Sequence, residues 1–88
     1  MIVSAAVRIF DFKQNKFWNI PCHRHWQAFY ILKEFGYKKS DFREIAQGFL
    51  DERYNFYDRV AAHKHAWGHG QLKEDYYNPR ELFSEDLW

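Results

Sequence analysis

The sequence contains little cysteine, proline and glycine: one cysteine, two prolines and four glycines among 88 residues. A single cysteine excludes an internal disulfide framework and is typical of a reducing, cytosolic setting. No apolar run approaches the roughly 20 residues of a membrane span. The apolar start at residues 1–7 lacks the basic region of a signal peptide, so it is interpreted as a strand. Neither sign of charge dominates, since 13 basic and 12 acidic residues give a net charge of +1. This near balance argues against duplex DNA as a partner.

Aromatic residues are abundant, with nine Phe, six Tyr and four Trp. A chain of this length forms one domain, residues 1–88, near the lower size limit for an independent core. Such a core cannot enclose so many large rings, so some of them are expected at a subunit interface or in a binding site. We therefore expect a homodimer or a higher homo-oligomer.

The first part of the chain predicts a β-hairpin followed by a helix. Residues 2–9 and 17–20 are rich in Val, Ile and aromatic residues, and a polar turn at Gln14 and Asn15 separates them. Pro21 is expected to close the second strand, because it cannot donate a hydrogen bond to a neighbouring strand. A helical face then predicts a first helix over residues 24–35, with Gly36 after its end. The residues of that face are Ala28, Ile31, Leu32 and Phe35.

The second part of the chain repeats this order. Residues 37–46 fit either a short helix capped by Ser40 or Asp41, or the approach to a strand over residues 45–50. A short return strand at 56–57 precedes Asp58, a good N-cap for a second helix over residues 59–69. Residues 72–88 form the last segment, which is expected to be anchored because it ends in Leu87 and Trp88.

The order β-β-α-β-β-α predicts an α+β fold. Hairpins that are each followed by one helix favour an antiparallel sheet with two helices on one face.

Histidines are the first candidates for chemistry. His65 and His69 are four residues apart and share a helix face, so they fit a metal-chelating pair, although no Glu follows His65 and no paired cysteines accompany them. Surface or boundary histidines are the alternative. Cys22 lies beside His23 and His25, but adjacency in sequence does not create a nucleophile–base geometry. We expect no catalytic residue, no bound metal and no cofactor.

Two arginines offer a more specific hypothesis. Arg24 opens the first predicted helix and Arg59 opens the second, and helix N-termini favour anions. Together they fit two phosphate groups, with nearby aromatic rings for a base. The alternative is that Arg59 pairs with an acidic group while Arg24 is solvated.

Several fragments together resemble a family of small bacteriophage and prophage proteins. The resemblance covers most of the chain, with two departures: Ala61 stands where the family has Glu, and the first hairpin lacks the family's Gly. The histidines at 23, 63, 65 and 69 also lie outside its pattern. In chain order, the matching fragments are Arg24-His25, Gln47-Gly48-Phe49, Phe56-Tyr57-Asp58-Arg59, Ala62 with Ala66, Gly70-Gln71 and Leu82-Phe83-Ser84-Glu85-Asp86-Leu87.

That family is similar to the Thoeris-type anti-defence sponges of phages. The resemblance implies a non-enzymatic protein of the host cell cytoplasm that sequesters a cyclic nucleotide immune signal, of the cyclic ADP-ribose or cyclic oligonucleotide type, without cleaving it. In this hypothesis arginines contact phosphates, His25 donates a hydrogen bond, phenylalanines stack on a base and glutamines bind polar edges. The candidate ligand-binding residues are Arg24, His25, Gln47, Phe49, Phe56, Arg59 and Gln71.

Two other functions stay open at this point. One is a phage protein that binds a host protein through an aromatic surface, and the other is a small metal-dependent protein that uses the histidine cluster.

Overall fold

A computed structural model of the chain describes residues 1–73 and 76–88. It has four strands and two helices: β1 (Ile2–Asp11), β2 (Lys16–Cys22), α1 (Gln27–Glu34), β3 (Phe42–Asp51), β4 (Phe56–Asp58) and α2 (Arg59–Gly68). Short 3-10 turns at Lys39–Asp41 and Ser84–Asp86 complete the regular structure. The predicted β-β-α-β-β-α order and α+β class are confirmed.

The strands form one antiparallel sheet with the spatial order β2-β1-β3-β4. The β1–β3 pairing contains two register shifts, one between Ile2 and Ser4 and one between Arg8 and Ile9. Irregularities of this kind bend a strand and increase its twist.

Both helices contribute to one core on one face of the sheet. Ala28 and Leu32 of α1, and Ala62 and Ala66 of α2, are fully buried. They form one cluster with residues of β1, β2 and β3 and with Leu82 of the last segment. The strand residues of the cluster are Ile2, Ala5, Val7, Ile9, Ile20, Cys22 and Phe49. The predicted face of α1 packs through Ala28, Ile31 and Leu32, whereas Phe35 lies just beyond the end of the helix and is 70% exposed, so its assignment to that face was wrong.

Most boundaries differ from the prediction by one or two residues, and three larger or structurally informative differences have a local cause. Helix α1 begins at Gln27 rather than Arg24, because residues 24–29 first form i→i−3 bonds, beginning with Gln27 N–H to Arg24 O at 3.0 Å. Strand β2 continues through Pro21 to Cys22, since β2 is an edge strand where a residue without an N–H is tolerated. Strand β3 begins at Phe42, after a 3-10 turn in which Asp41 accepts a bond from Lys38 N–H at 2.7 Å.

The last segment is tied to the rest of the chain. Leu82 is fully buried, and its N–H donates to Arg59 O at 2.8 Å. Trp88 Nε1 donates to His23 O at 2.7 Å. These contacts link the described part of segment 72–88 to the rest of the chain, whereas residues 74 and 75 lie outside the described residues.

Candidate functional site

Arg59 is the centre of a polar cluster between α2, β3 and the last segment. Its helix begins cleanly, because Asp58 Oδ1 accepts a bond from Ala61 N–H at 2.8 Å. The Arg59 guanidinium donates to Leu82 O at 2.8 Å and to Gln47 Oε1 at 2.7 Å. Its carbon lies 4.9 Å from the centroid of the Phe83 ring, a cation–π contact. These contacts hold the guanidinium in one orientation.

His25 lies beside Arg59 and is neutral at physiological pH. Its Nε2 is 2.8 Å from Gly48 O, and a carbonyl only accepts, so Nε2 carries the proton. The unprotonated Nδ1 faces an Arg59 nitrogen at 3.5 Å. Burial lowers the pKa of His25, and the charge of Arg59 lowers it further, although the bond to Gly48 O acts in the opposite direction.

Arg24 reaches the same region from the turn that precedes α1. It donates to Ser84 Oγ at 2.8 Å and also to the backbone oxygen of Trp88. The last segment is thus held by two arginines that are distant in sequence. Arg24 is hydrogen-bonded rather than solvated, and Arg59 contacts the oxygens of Leu82 and Gln47 and a nitrogen of His25 rather than an acidic side chain. Both arginines therefore differ from the alternative of a solvated Arg24 and an Arg59 ion pair.

Two hollows flank Arg59. One has a volume of about 200 Å³ and is lined by Arg24, His25, Trp26, Arg59, Phe83, Ser84 and Glu85. The other, of about 370 Å³, is lined by Gln47, Asp58, Arg59, Val60 and Glu81. We call the first of these the Arg59 cleft. Its two arginines are partly offset by the carboxylate of Glu85.

The structure brings together four of the seven predicted site residues: Arg24, His25, Gln47 and Arg59. Phe49 is fully buried in the core, where its ring packs edge-on against His25 at 5.1 Å between centroids. Phe56 lies beneath the Arg8 guanidinium, 5.0 Å from its carbon. Gln71 is occupied by the backbone of Ile2, accepting from its N–H at 2.6 Å and donating to its O at 2.9 Å. These three side chains do not line the Arg59 cleft.

Sequence reasoning did not assign Trp26, Phe83 and Ser84 to the site. Trp26 is 59% exposed and Phe83 is 46% exposed, so both offer ring surface at the Arg59 cleft. Phe83 and Ser84 belong to a fragment that carried the family resemblance, and that was the available indication of their importance.

The histidines of α2 divide into a buried one and a surface pair. His63 is fully buried, whereas the rings of His65 and His69 lie 4.2 Å apart, as their spacing predicts. Burial lowers the pKa of His65. Within residues 1–73 and 76–88, no group of three or more His, Cys, Asp or Glu side chains is arranged to hold a metal ion.

Cys22 is buried, and burial raises the pKa of its thiol to about 11. A thiol with this pKa is almost entirely protonated at neutral pH and is a poor nucleophile.

Fold and site together define a small α+β protein in which two arginines and a neutral histidine meet around the last segment. The chain belongs to the phage T4 y16D protein family, whose sequence profile matches residues 1–88. This family assignment confirms the predicted membership of a small phage protein family. No curated protein and no solved structure matches the chain. Among the described residues, no helix has the length and apolar character needed to cross a membrane.

Proposed function

We propose that this phage protein is an anti-defence protein that binds and sequesters a cyclic nucleotide immune signal, of the cyclic ADP-ribose or cyclic oligonucleotide type, in the host cytoplasm. The observation that carries the proposal is the convergence of Arg24, His25 and Arg59 on one cleft, with Gln47 bonded to Arg59 behind it. Arginine pairs are well suited to phosphate because each guanidinium presents several donors in a fixed plane.

The arginines keep donors for a ligand. A guanidinium has five N–H groups, and the contacts among the described residues use three of Arg59 and two of Arg24. Since carbonyl and hydroxyl oxygens already orient both groups, little side-chain entropy is lost when a phosphate binds. The remaining donors of the two arginines are the proposed phosphate contacts.

The size of the Arg59 cleft supports binding between two copies of the chain. A hollow of about 200 Å³ suits a phosphate group, whereas sites for whole small molecules are typically about 300–1,000 Å³. In a homodimer or higher oligomer the exposed rings of Trp26 and Phe83 would stack on a base and a second copy would close the site. These two rings take the stacking role that the sequence assigned to Phe49 and Phe56.

Sequestration without turnover is supported by the state of the reactive side chains near the cleft. His25 uses its protonated nitrogen on Gly48 O, and its other nitrogen faces Arg59. The single thiol of the chain, Cys22, does not line the cleft, and its raised pKa keeps it protonated at neutral pH. Neither group is placed as the base or nucleophile of a hydrolase.

Calorimetric titration with cyclic ADP-ribose and with cyclic dinucleotides tests this proposal. A charge-assisted contact contributes about 1.5–3 kcal/mol, so Arg59→Ala should weaken binding about 10- to 150-fold. Arg53→Ala removes the same charge from an exposed turn and should leave the affinity unchanged. Arg24→Ala should behave like Arg59→Ala, and thermal melting of each variant separates loss of contact from loss of fold.

Three outcomes would contradict the proposal: no affinity for any cyclic nucleotide, recovery of a hydrolysed ligand after heat denaturation, or equal weakening by Arg53→Ala and Arg59→Ala. Light scattering on the same samples reports the oligomer. A mass of 10.9 kDa with ligand bound would remove the shared-site part of the proposal.

A second candidate function is binding of a host protein through an aromatic surface. Its support is an exposed group of rings at the tip of the first hairpin, where Phe10 lies 5.3 Å from Phe12 and 4.8 Å from Phe17 between centroids. Phe12 and Phe17 are both more than half exposed. Phe12→Ser with Phe17→Ser should abolish binding of an identified host protein, and unchanged affinity would exclude this surface.

A further inference from the structure

A further hollow lies away from the Arg59 cleft, between α1 and the start of β3. It has a volume of about 650 Å³. Four aromatic residues and three lysines line it together with Gly36: Phe29, Tyr30, Tyr37 and Phe42, and Lys33, Lys38 and Lys39. We call it the Lys–aromatic groove. We propose that the Lys–aromatic groove is a binding site for single-stranded nucleic acid, and this proposal is independent of the nucleotide-sequestering function.

The aromatic rings of the groove are firmly placed. Phe29 and Phe42 stack with their centroids 6.2 Å apart and their planes at 30°. The Tyr37 hydroxyl donates to the buried carboxylate of Asp11, a bond that fixes the ring and raises the pKa of Tyr37. Tyr30 is 64% exposed at the rim. Rings held in this way offer flat faces on which unpaired bases stack without sequence preference.

The lysines of the groove are available to an anion. Lys33, Lys38 and Lys39 are exposed, and within residues 1–73 and 76–88 none of the three forms an ion pair. Lys13, by contrast, is engaged, with Nζ 3.7 Å from Asp41 Oδ2 and 4.6 Å from the centroid of the Tyr37 ring. Asp41 is in turn held by Lys13 and by the N–H of Lys38. The carboxylate of Asp41, which precedes the groove residue Phe42, therefore has partners of its own.

The near-zero net charge conceals an uneven distribution along the chain. Residues 1–43 contain eight basic and three acidic residues, whereas residues 44–88 contain five basic and nine acidic residues. All lining residues of the groove come from the basic half. The lining itself has three lysines and no acidic residue, and exposed charges act over roughly 8–10 Å at physiological salt, so these lysines favour the approach of anions.

Single-stranded nucleic acid is the ligand that matches both features. Its phosphates pair with ammonium groups, and its splayed bases occupy the aromatic faces. An acidic peptide would satisfy the lysines but would leave the four rings without planar partners. A duplex hides its base faces and is expected to bind more weakly.

Fluorescence anisotropy with a labelled twelve-residue oligothymidylate, titrated with the full chain at low salt, tests the proposal. We expect a Kd of about 1–100 µM, with affinity falling as salt rises. Tyr30→Ala should weaken binding about 5- to 150-fold, which is the range for loss of one stacked base. Lys38→Glu with Lys39→Glu should weaken it at least about tenfold.

Matched controls separate this site from general charge effects and from the Arg59 cleft. Lys64→Glu with Lys73→Glu reverses the same number of charges outside the groove and should retain most of the affinity. Arg59→Ala should also retain it, so this proposal and the proposed function can fail separately.

Several results would overturn the proposal. They are no binding at about 100 µM protein, equal weakening by the two double reversals, a duplex that binds as tightly as the single strand, or polyglutamate binding through Lys38 and Lys39 without oligonucleotide binding.

Discussion

Gly48 lies in the pairing of β3 with β4 at a position that has no room for a side chain. A Cβ built on Gly48 would lie 2.2 Å from Tyr57 O and 2.5 Å from the tip of the Phe56 ring. The carbonyl of the same residue accepts the bond from His25. The absence of a side chain at Gly48 therefore lets the short strand β4 pair with β3. Its carbonyl, through the bond from His25, connects the sheet with the Arg59 cleft.

Gly48→Ala is predicted to destabilise the fold strongly. The new methyl group meets backbone on a paired strand, which cannot move without breaking the ladder, so the free energy of unfolding should fall by about 3 kcal/mol or more. The control is Gly68→Ala, where the added Cβ meets no atom within 4 Å. Because Gly68 is helical, that variant should be neutral or more stable by up to about 1 kcal/mol. Urea denaturation of both variants measures the difference, and similar midpoints would contradict it.

At the scale of elements, segment 72–88 contributes to the core although its described part has little regular structure. Leu82 belongs to the core cluster, and Ser84 is buried where Arg24 donates to its hydroxyl. The 3-10 turn at Ser84–Asp86 is closed by Phe83 N–H, which donates to Asp86 Oδ2 at 2.9 Å. Through Phe83, Ser84 and Glu85, this segment forms one wall of the Arg59 cleft.

Leu82→Ala is predicted to cost about 2–5 kcal/mol, the range for truncating a fully buried leucine. Leu87→Ala changes the same residue type in the same segment, but Leu87 is only partly buried, so its cost should be clearly smaller. Thermal or urea unfolding of the two variants tests the ranking. If Leu87→Ala were the more damaging change, the segment would be anchored through its end rather than through Leu82.

At the scale of the whole molecule, buried and partly buried titratable groups make stability depend on pH. Burial lowers the pKa of His25 and of His65. For Asp11 and Asp51, burial alone raises the pKa, but hydrogen bonds from Tyr37 and two backbone N–H groups, and from Asn55, Tyr57 and Arg53, outweigh it and lower the pKa. In all four cases the folded state disfavours the proton relative to the unfolded state.

The chain is therefore predicted to lose stability in two stages as the pH falls. The unfolded chain binds more protons below the ordinary histidine pKa of 6.5, and again below the ordinary aspartate pKa of 3.8, so the free energy of unfolding decreases in both windows. Urea midpoints measured from about pH 8 to about pH 3 report both stages. Asp51→Asn should lower stability at neutral pH and make the acid stage shallower. Stability that rises between about pH 7 and about pH 5 would contradict the assignment for the histidines.

The sequence by itself determined most of the fold, because its local patterns are strong. Period-two apolar runs define β1 and β2, and small or aliphatic residues at helical spacing define the packed faces of α1 and α2. Asp58 was recognisable as a cap because an aspartate before a helical pattern satisfies an exposed N–H. The sequence also indicated that Arg59 and His25 belong to one site.

Only the tertiary structure decided which residues meet at the cleft. Arg24 and Ser84 are 60 residues apart in sequence, so no local pattern predicts their 2.8 Å contact. Phe49 and Phe56 appear equivalent as aromatic residues, but adjacent strands and strand alternation bury one in the core and place the other under Arg8. Pro21 remains within β2 only because that strand lies at the sheet edge. Each of these outcomes depends on which elements become neighbours, and that is set by long-range packing rather than by the residues on either side.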